Sequence, residues 1–275
     1  MTRALVLGGG GVTGVAWEWG LLAGLAEGGV VLADADLVVG TSAGSVVGAQ
    51  LCAGRPVVEW YEAQLAVARG EVAARFGVAA VARLVWAGGR SRDPVRARAR
   101  VGAMALAART VSEVSRRAVI EARLPDRVWP ARRLLVTAVD AGSGEFVVFD
   151  AGSGVSLVDA VGASCAVPGV WPPVTIGDRR YVDGGVRSAV NADLAAGARR
   201  VVVLAPTTAG FGPMPRLSAQ LAALGSAARV VVSPDRAARA AIGRHVLDPA
   251  RRAGAARAGF AQGVAVAEEV AAVWG

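Results

Sequence analysis

The sequence predicts an α/β fold, and three observations carry that prediction. Short apolar runs rich in valine and leucine recur at residues 4–7, 37–39, 134–139 and 201–204, with helix-length stretches between them. Such alternation is the signature of strand–helix units in a layered α/β domain. The first two runs also end in glycine-bearing turns that pass straight into helices. Finally, 275 residues at 54% hydrophobic and 19% charged content suffice for one large domain with a substantial core, and they exclude disorder.

The first strand, Ala4 to Leu7, runs into Gly8-Gly9-Gly10-Gly11-Val12-Thr13-Gly14 and then a helix from about Val15 to Glu27. A glycine run at a helix N-terminus presents backbone N–H groups to an anion. Two chemistries use this arrangement. Gly9-x-Gly11-x-x-Gly14 fits a dinucleotide fingerprint, and the same amides would serve as an oxyanion hole for acyl transfer. A dinucleotide fold needs an acid at the end of the next strand. Here Asp34 and Asp36 precede that strand, and it ends in a serine. The oxyanion reading is therefore preferred.

The second strand, Leu37 to Val39, leads through Gly40-Thr41-Ser42-Ala43-Gly44 into a helix from Ala43 to Ala53. Gly-x-Ser-x-Gly between strand and helix is a nucleophile elbow. The turn holds the serine in a strained conformation and brings strand and helix close together, so only small residues fit at Gly40 and Gly44. Ser42 is read as a nucleophile at a helix N-terminus, where the dipole favours negative charge.

The following stretch, residues 55 to about 130, reads as a helical insertion that caps the site. Pro56 opens one helix, Asp93-Pro94 looks like an N-cap and first turn, and Thr110 with Glu113 resembles a capping box. Trp86, beside the basic turn Gly88 to Arg92, suits a lipid–water interface or a packing role. Beyond the insertion come hairpins at residues 134–149 and 174–182, a short helix from Leu157 to Ser164, and the apolar loop Cys165 to Pro173. Helices near 193–198 and 216–228, a strand at 229–232 and a last helix from Ala250 to Val273 complete the chain.

A serine hydroxyl needs a neighbouring base. The single histidine, His245, follows the serine in chain order with acids between them, as a triad requires, but no tight turn aims it. Asp183 directly follows a strand and precedes Gly184-Gly185, so its carboxylate can be held against another backbone and can act as base if burial raises its pKa. An Asp-Gly-Gly turn in which the side chain bonds its own backbone is the plain alternative.

All 30 basic residues are arginine, and the net charge of +8 is uneven. Residues 69–133 hold 15 arginines against 5 acids, whereas the remainder carries a balance of −2. That segment is a candidate for peripheral contact with an anionic membrane. No base-reading module or stacking aromatics point to nucleic acid. Cys52 and Cys165 are read as buried free thiols, and the chain opens directly into a strand with no signal peptide, so a cytoplasmic protein is expected.

The glycine-rich first loop, Gly40-Thr41-Ser42-Ala43-Gly44, the stretch Ala163 to Gly169, Asp183-Gly184-Gly185 and the run from Asn191 to Pro206 together resemble the patatin-like phospholipase family over residues 3–206. The resemblance implies a three-layer α/β/α domain, residues 1–275, with a mainly parallel central sheet and the helical cap as an insertion. It implies a serine lipid acyl hydrolase with a Ser42–Asp183 dyad and no histidine, acting on a lipid or fatty-acyl ester. The backbone of Gly9, Gly10 and Gly11 would form the oxyanion hole, with Gly14, Gly40, Gly44, Gly184 and Gly185 supporting the motifs. Neither metal nor cofactor is called for. One departure is Thr13, where family members often carry Arg or Lys; backbone donors survive that change, whereas a cationic contact to a headgroup from this position is lost.

Overall fold

The computed structural model describes residues 2–66, 87–89, 91–208 and 213–275. Trp86 and the arginines at 69, 75, 83 and 90 lie outside the described residues. Among the described residues, eight strands form one mixed sheet. They are β1 (Arg3–Leu7), β2 (Leu37–Gly40), β3 (Arg133–Asp140), β4 (Phe146–Phe149), β5 (Val174–Ile176), β6 (Arg179–Asp183), β7 (Arg200–Leu204) and β8 (Ala228–Val232). The order is β5-β6-β3-β2-β1-β7-β8, with β4 also paired to β3. Strands β3, β2, β1, β7 and β8 run parallel, while β4, β5 and β6 are antiparallel additions.

Both faces of the parallel strands are covered, which is why these strands read as continuous apolar runs rather than alternating ones. Leu5, Leu7, Val38, Val136, Val202 and Leu204 point into one core and Ala4, Val6, Val39, Leu135, Val201 and Val203 into the other. The larger core lies under α1 (Gly11–Glu27), α2 (Ala43–Cys52), α6 (Leu157–Ser164) and α9 (Arg252–Ala265), and the smaller under the 192–195 turn and α7 (Leu217–Ala222). The result is a three-layer α/β/α domain. Helices α1 and α9 touch backbone to backbone: a Cβ at Gly20 would sit 2.0 Å from the Ala256 carbonyl oxygen, and one at Gly259 would sit 2.4 Å from that of Trp17.

Between β2 and β3 stand α3 (Val57–Leu65), α4 (Pro94–Leu106) and α5 (Glu113–Arg123). They pack in different places: α3 against α1 and α9, α4 against β3, and α5 against α6. Asp93 caps α4 as expected, accepting from the Val95 amide at 2.9 Å with Pro94 in the first turn. The cap of α5 differs from the expected Thr110–Glu113 box. Ser112 accepts from the Ser115 amide at 3.1 Å, and Glu113 instead bonds Thr175 across to β5. A serine two residues further on offers the same hydroxyl and frees the acid for a tertiary contact. The single helix expected near the C-terminus is broken at Val266 into α9 and α10 (Ala267–Trp274), and α8 (Arg236–Ile242) precedes them. Helix α1 starts at Gly11, one turn earlier than expected, because the glycine run itself takes up the helix. The expected helices near 193–198 and 216–228 are shorter, a turn at 192–195 and α7. Among the described residues no helix is long and apolar enough to cross a membrane.

Candidate active site

Strand β3 brings two distant turns together. Gly40, at the end of β2, lies opposite Val136, and Asp183, at the end of β6, lies opposite Ala138, two residues further along the same strand. Ser42 follows Gly40 and caps α2 with φ 51° and ψ −114°, a conformation rare for a residue with a Cβ. The close approach that produces it is visible at Gly44, where a Cβ would sit 2.0 Å from the carbonyl oxygen of Leu7.

The strained backbone is held from several sides. The Ser42 amide donates to Ser164 Oγ at 2.9 Å. Its carbonyl accepts from Ser45 Oγ at 2.7 Å and from Cys165 Sγ at 3.3 Å. Beneath the turn, Thr41 Oγ1 accepts from Thr137 Oγ1 at 2.9 Å and from Asn191 Nδ2 at 3.0 Å, all three residues being buried. A buried polar cluster with its partners made fixes one arrangement of the turn.

Asp183 is 5% exposed and Ser42 7%. The carboxylate accepts from the Gly185 amide at 2.7 Å, and the Ser42 hydroxyl lies near enough to favour its ionised form. Burial lifts its pKa to about 7, against the Ser42 hydroxyl and the Gly185 amide, which favour the ionised form. The turn-forming role does not keep the carboxylate from Ser42: one oxygen bonds the residue's own turn while the carboxylate also lies beside the Ser42 hydroxyl. Gly184 permits this, since a Cβ there would meet Thr137 Oγ1 at 2.2 Å. The Asp183 amide donates to the Ala166 carbonyl at 3.0 Å. Three consecutive residues at the end of α6, Ser164, Cys165 and Ala166, therefore clamp both partners. The sequence places Ser164 at the end of a short helix and Cys165 and Ala166 in the apolar loop after it, and nothing local marks Ser164 as an acceptor for a residue 122 positions away.

The glycine run lies beside this pair, and its three expected donors are not equivalent. The Gly9 amide donates to the Ala189 carbonyl at 2.7 Å and is not available to a substrate, which corrects the expectation of three oxyanion donors. The amides of Gly10 and Gly11 stand at the N-cap and first residue of α1, where no intrahelical acceptor exists, and neither donates to a described residue. Gly11 lines the same small pocket as Ser42. His245 is exposed and does not bond Ser42 among the described residues, so the triad alternative is not formed. The neighbouring Val246 carbonyl instead accepts from the Thr13 amide at 3.0 Å and hydroxyl at 3.2 Å, tying that loop to the glycine run. Cys165 is buried and Cys52 half-buried, both as free thiols.

The Ser42 pocket, about 20 Å³, is walled by Arg116, Cys165 and Trp171. Val12, Val15, Val46 and Arg123 line both it and a second cavity of about 160 Å³ that extends toward Trp60 and Gln64. No group of His, Cys, Asp and Glu among the described residues is arranged to hold a metal ion.

Residues 5–196 match the model of the family described as patatin-like phospholipase. The chain belongs to that family. Among solved structures it is similar to VipD from Legionella pneumophila (13% identity, TM-score 0.49) and to the type III effector protein ExoU (16% identity, TM-score 0.43). The comparison covers 98% of the patatin-like chain in each case, but 67% of the VipD chain and 53% of the ExoU chain. No curated protein matches it. Membership places the chain among lipid hydrolases.

Proposed function

We propose that this chain is a serine lipid acyl hydrolase that works through Ser42 and Asp183. The observation that carries the reading is the nearness of the Ser42 hydroxyl to a buried carboxylate whose ionised form it favours, at the N-terminus of α2 and beside the uncommitted amides of Gly10 and Gly11. Ser42 Oγ attacks the ester carbonyl carbon while Asp183 takes its proton. The carbonyl oxygen becomes an oxyanion held by the Gly10 and Gly11 amides, an interaction typically worth about 3 kcal/mol per donor. Collapse expels the alcohol, which leaves with the proton from Asp183, and an acyl-serine remains. Water then attacks with Asp183 again as base, and the second collapse releases the fatty acid and returns the proton to Ser42.

The apolar walls offered by Val12, Val15, Val46, Trp60 and Ala63 would take the acyl chain into the larger cavity. The arginines of the 55–130 insertion would hold the protein near anionic lipid. A fluorophosphonate probe tests the chemistry. We expect stoichiometric labelling of the wild-type chain and of His245→Ala, and none of Ser42→Ala. Labelling that survives in Ser42→Ala, or that disappears in His245→Ala, overturns the dyad.

A further inference from the structure

A pocket that shares no wall with the Ser42 site lies between the first turns of α4 and the turn Gly184–Val186 that follows Asp183. Its sides are largely apolar, from Pro94, Ala97, Val101 and Val186, and it brings Arg98 and Arg187 together. Like charges so placed repel. Burial lowers the Arg98 pKa, and the charge of Arg187 lowers it further. Asp93 pulls the other way, but its carboxylate is committed to the Val95 amide at 2.9 Å and to the Arg96 guanidinium at 3.5 Å. Packing does not require the arrangement. Arg98 holds the Gly144 carbonyl with its Nε alone, at 2.7 Å, and the rest of its fork makes no hydrogen bond to a described residue.

Arg187 is fixed more firmly. Its Nη1 donates to Asn191 Oδ1 at 2.8 Å, and its two Nη atoms close on the Asp193 carboxylate at 2.9 and 2.6 Å. Its guanidinium also lies 4.4 Å from the centre of the Phe146 ring. Asp193 therefore balances Arg187, and Arg98 is left without an ion pair among the described residues. A half-buried cation with unused donors, beside a second guanidinium, matches an anion with several acceptor oxygens. Phosphate offers more of them than a carboxylate does. The enclosed space, about 10 Å³, takes one oxygen-sized group, so the other oxygens of such a ligand face the mouth. The pocket is also wired to the Ser42 turn. Asn191, held by Arg187, donates to Thr41 Oγ1 at 3.0 Å, and the Arg187 amide donates to the Gly184 carbonyl at 3.0 Å, next to Asp183.

We propose that Arg98 and Arg187 form a phosphate-binding site behind the Asp183 turn, separate from the Ser42 pocket, and that its occupation braces the Ser42 turn through Asn191 and Thr41. The site stands or falls independently of the hydrolase reading. The readout is the thermal midpoint of the full chain titrated with sodium phosphate, chloride holding the ionic strength constant. A ligand that binds only the folded state raises Tm saturably, by about 3 °C at about ten times its Kd. Arg98→Gln should raise the half-saturating phosphate concentration about tenfold. Arg100→Gln, an exposed position on the same helix, should leave it unchanged. A wild-type chain that phosphate shifts no further than chloride overturns the proposal without any variant. So does an upshift that Arg98→Gln leaves intact, since the phosphate then sits elsewhere. An equal, Arg98-dependent upshift with acetate overturns the assignment to phosphate. Glycerol phosphate separates the two sources: a larger Arg98-dependent shift assigns the site to a phosphate ester and an equal or smaller one to free phosphate, and both support it. Hydrogen exchange across residues 41–47 should slow when phosphate is bound, and unchanged exchange overturns the bracing.

Discussion

Glu18 and Asp183 are both buried carboxyl groups, and their surroundings differ in one respect. Glu18, in the middle of α1, is fully buried, and neither of its oxygens has a hydrogen-bond partner among the described residues. The nearby Gly8 amide draws its pKa down a little, but that N–H donates to the Leu204 carbonyl at 2.9 Å, and burial leaves Glu18 far above the carboxylate range. Asp183 is also buried, but the Gly185 amide donates to it, the Ser42 hydroxyl lies near enough to favour its ionised form, and its pKa stops at about 7. Burial alone makes a carboxyl neutral and inert. Burial with donors aimed at it leaves a carboxyl that ionises near neutral pH, as the proposed base must.

The contrast is broken most severely at Asp183 itself. Asp183→Asn keeps the shape but removes the base, and kcat/KM on a soluble ester should fall about 10³-fold; a loss below about tenfold would mean another group takes the proton. Next comes the pH dependence of the intact protein. The base works deprotonated, so kcat/KM should decline as pH falls through about 7, the Asp183 pKa. A flat profile across that range would assign the base elsewhere. The smallest effect belongs to Glu18→Gln. A carboxyl whose folded pKa is raised costs stability as pH climbs above the unfolded value of about 4. Removing it should therefore stabilise the fold by about 1 kcal/mol or more at pH 8 and by nothing at pH 4, while ester hydrolysis persists. Urea unfolding at the two pH values checks the sign, and lost hydrolysis would give Glu18 a part in the site.

How much of this was legible in the residues varies with the range of the interaction. Gly40, Ser42 and Gly44 declare the elbow because the clash that demands them is local: Gly44 against Leu7 and Ser42 in a strained turn. The strand–helix alternation was legible for the same reason, since both faces of the parallel strands had to be apolar. Asp183 could be named from its place before two glycines, yet that its carboxylate also lies beside the Ser42 hydroxyl needed the coordinates, because a purely turn-forming aspartate leaves the same three letters. Gly9 was expected among the oxyanion donors and proved committed to Ala189, 180 residues away in the chain. The inward arginines of α5 gave no signal at all, for Arg116 and Arg123 look like any others in a segment full of arginine.

The sequence by itself determined the local devices: a glycine-lined helix start, a serine elbow and an aspartate at a strand end, in an order that carries a family resemblance. Those follow from short-range sterics and backbone hydrogen bonding, which neighbouring residues dictate. The tertiary structure alone decided which amides are uncommitted, that the Ser42 hydroxyl meets Asp183, that His245 faces out, and that α5 turns cations toward the pocket. Each of those is a matter of pairing and burial between residues far apart in the chain, and only the packed core sets who meets whom.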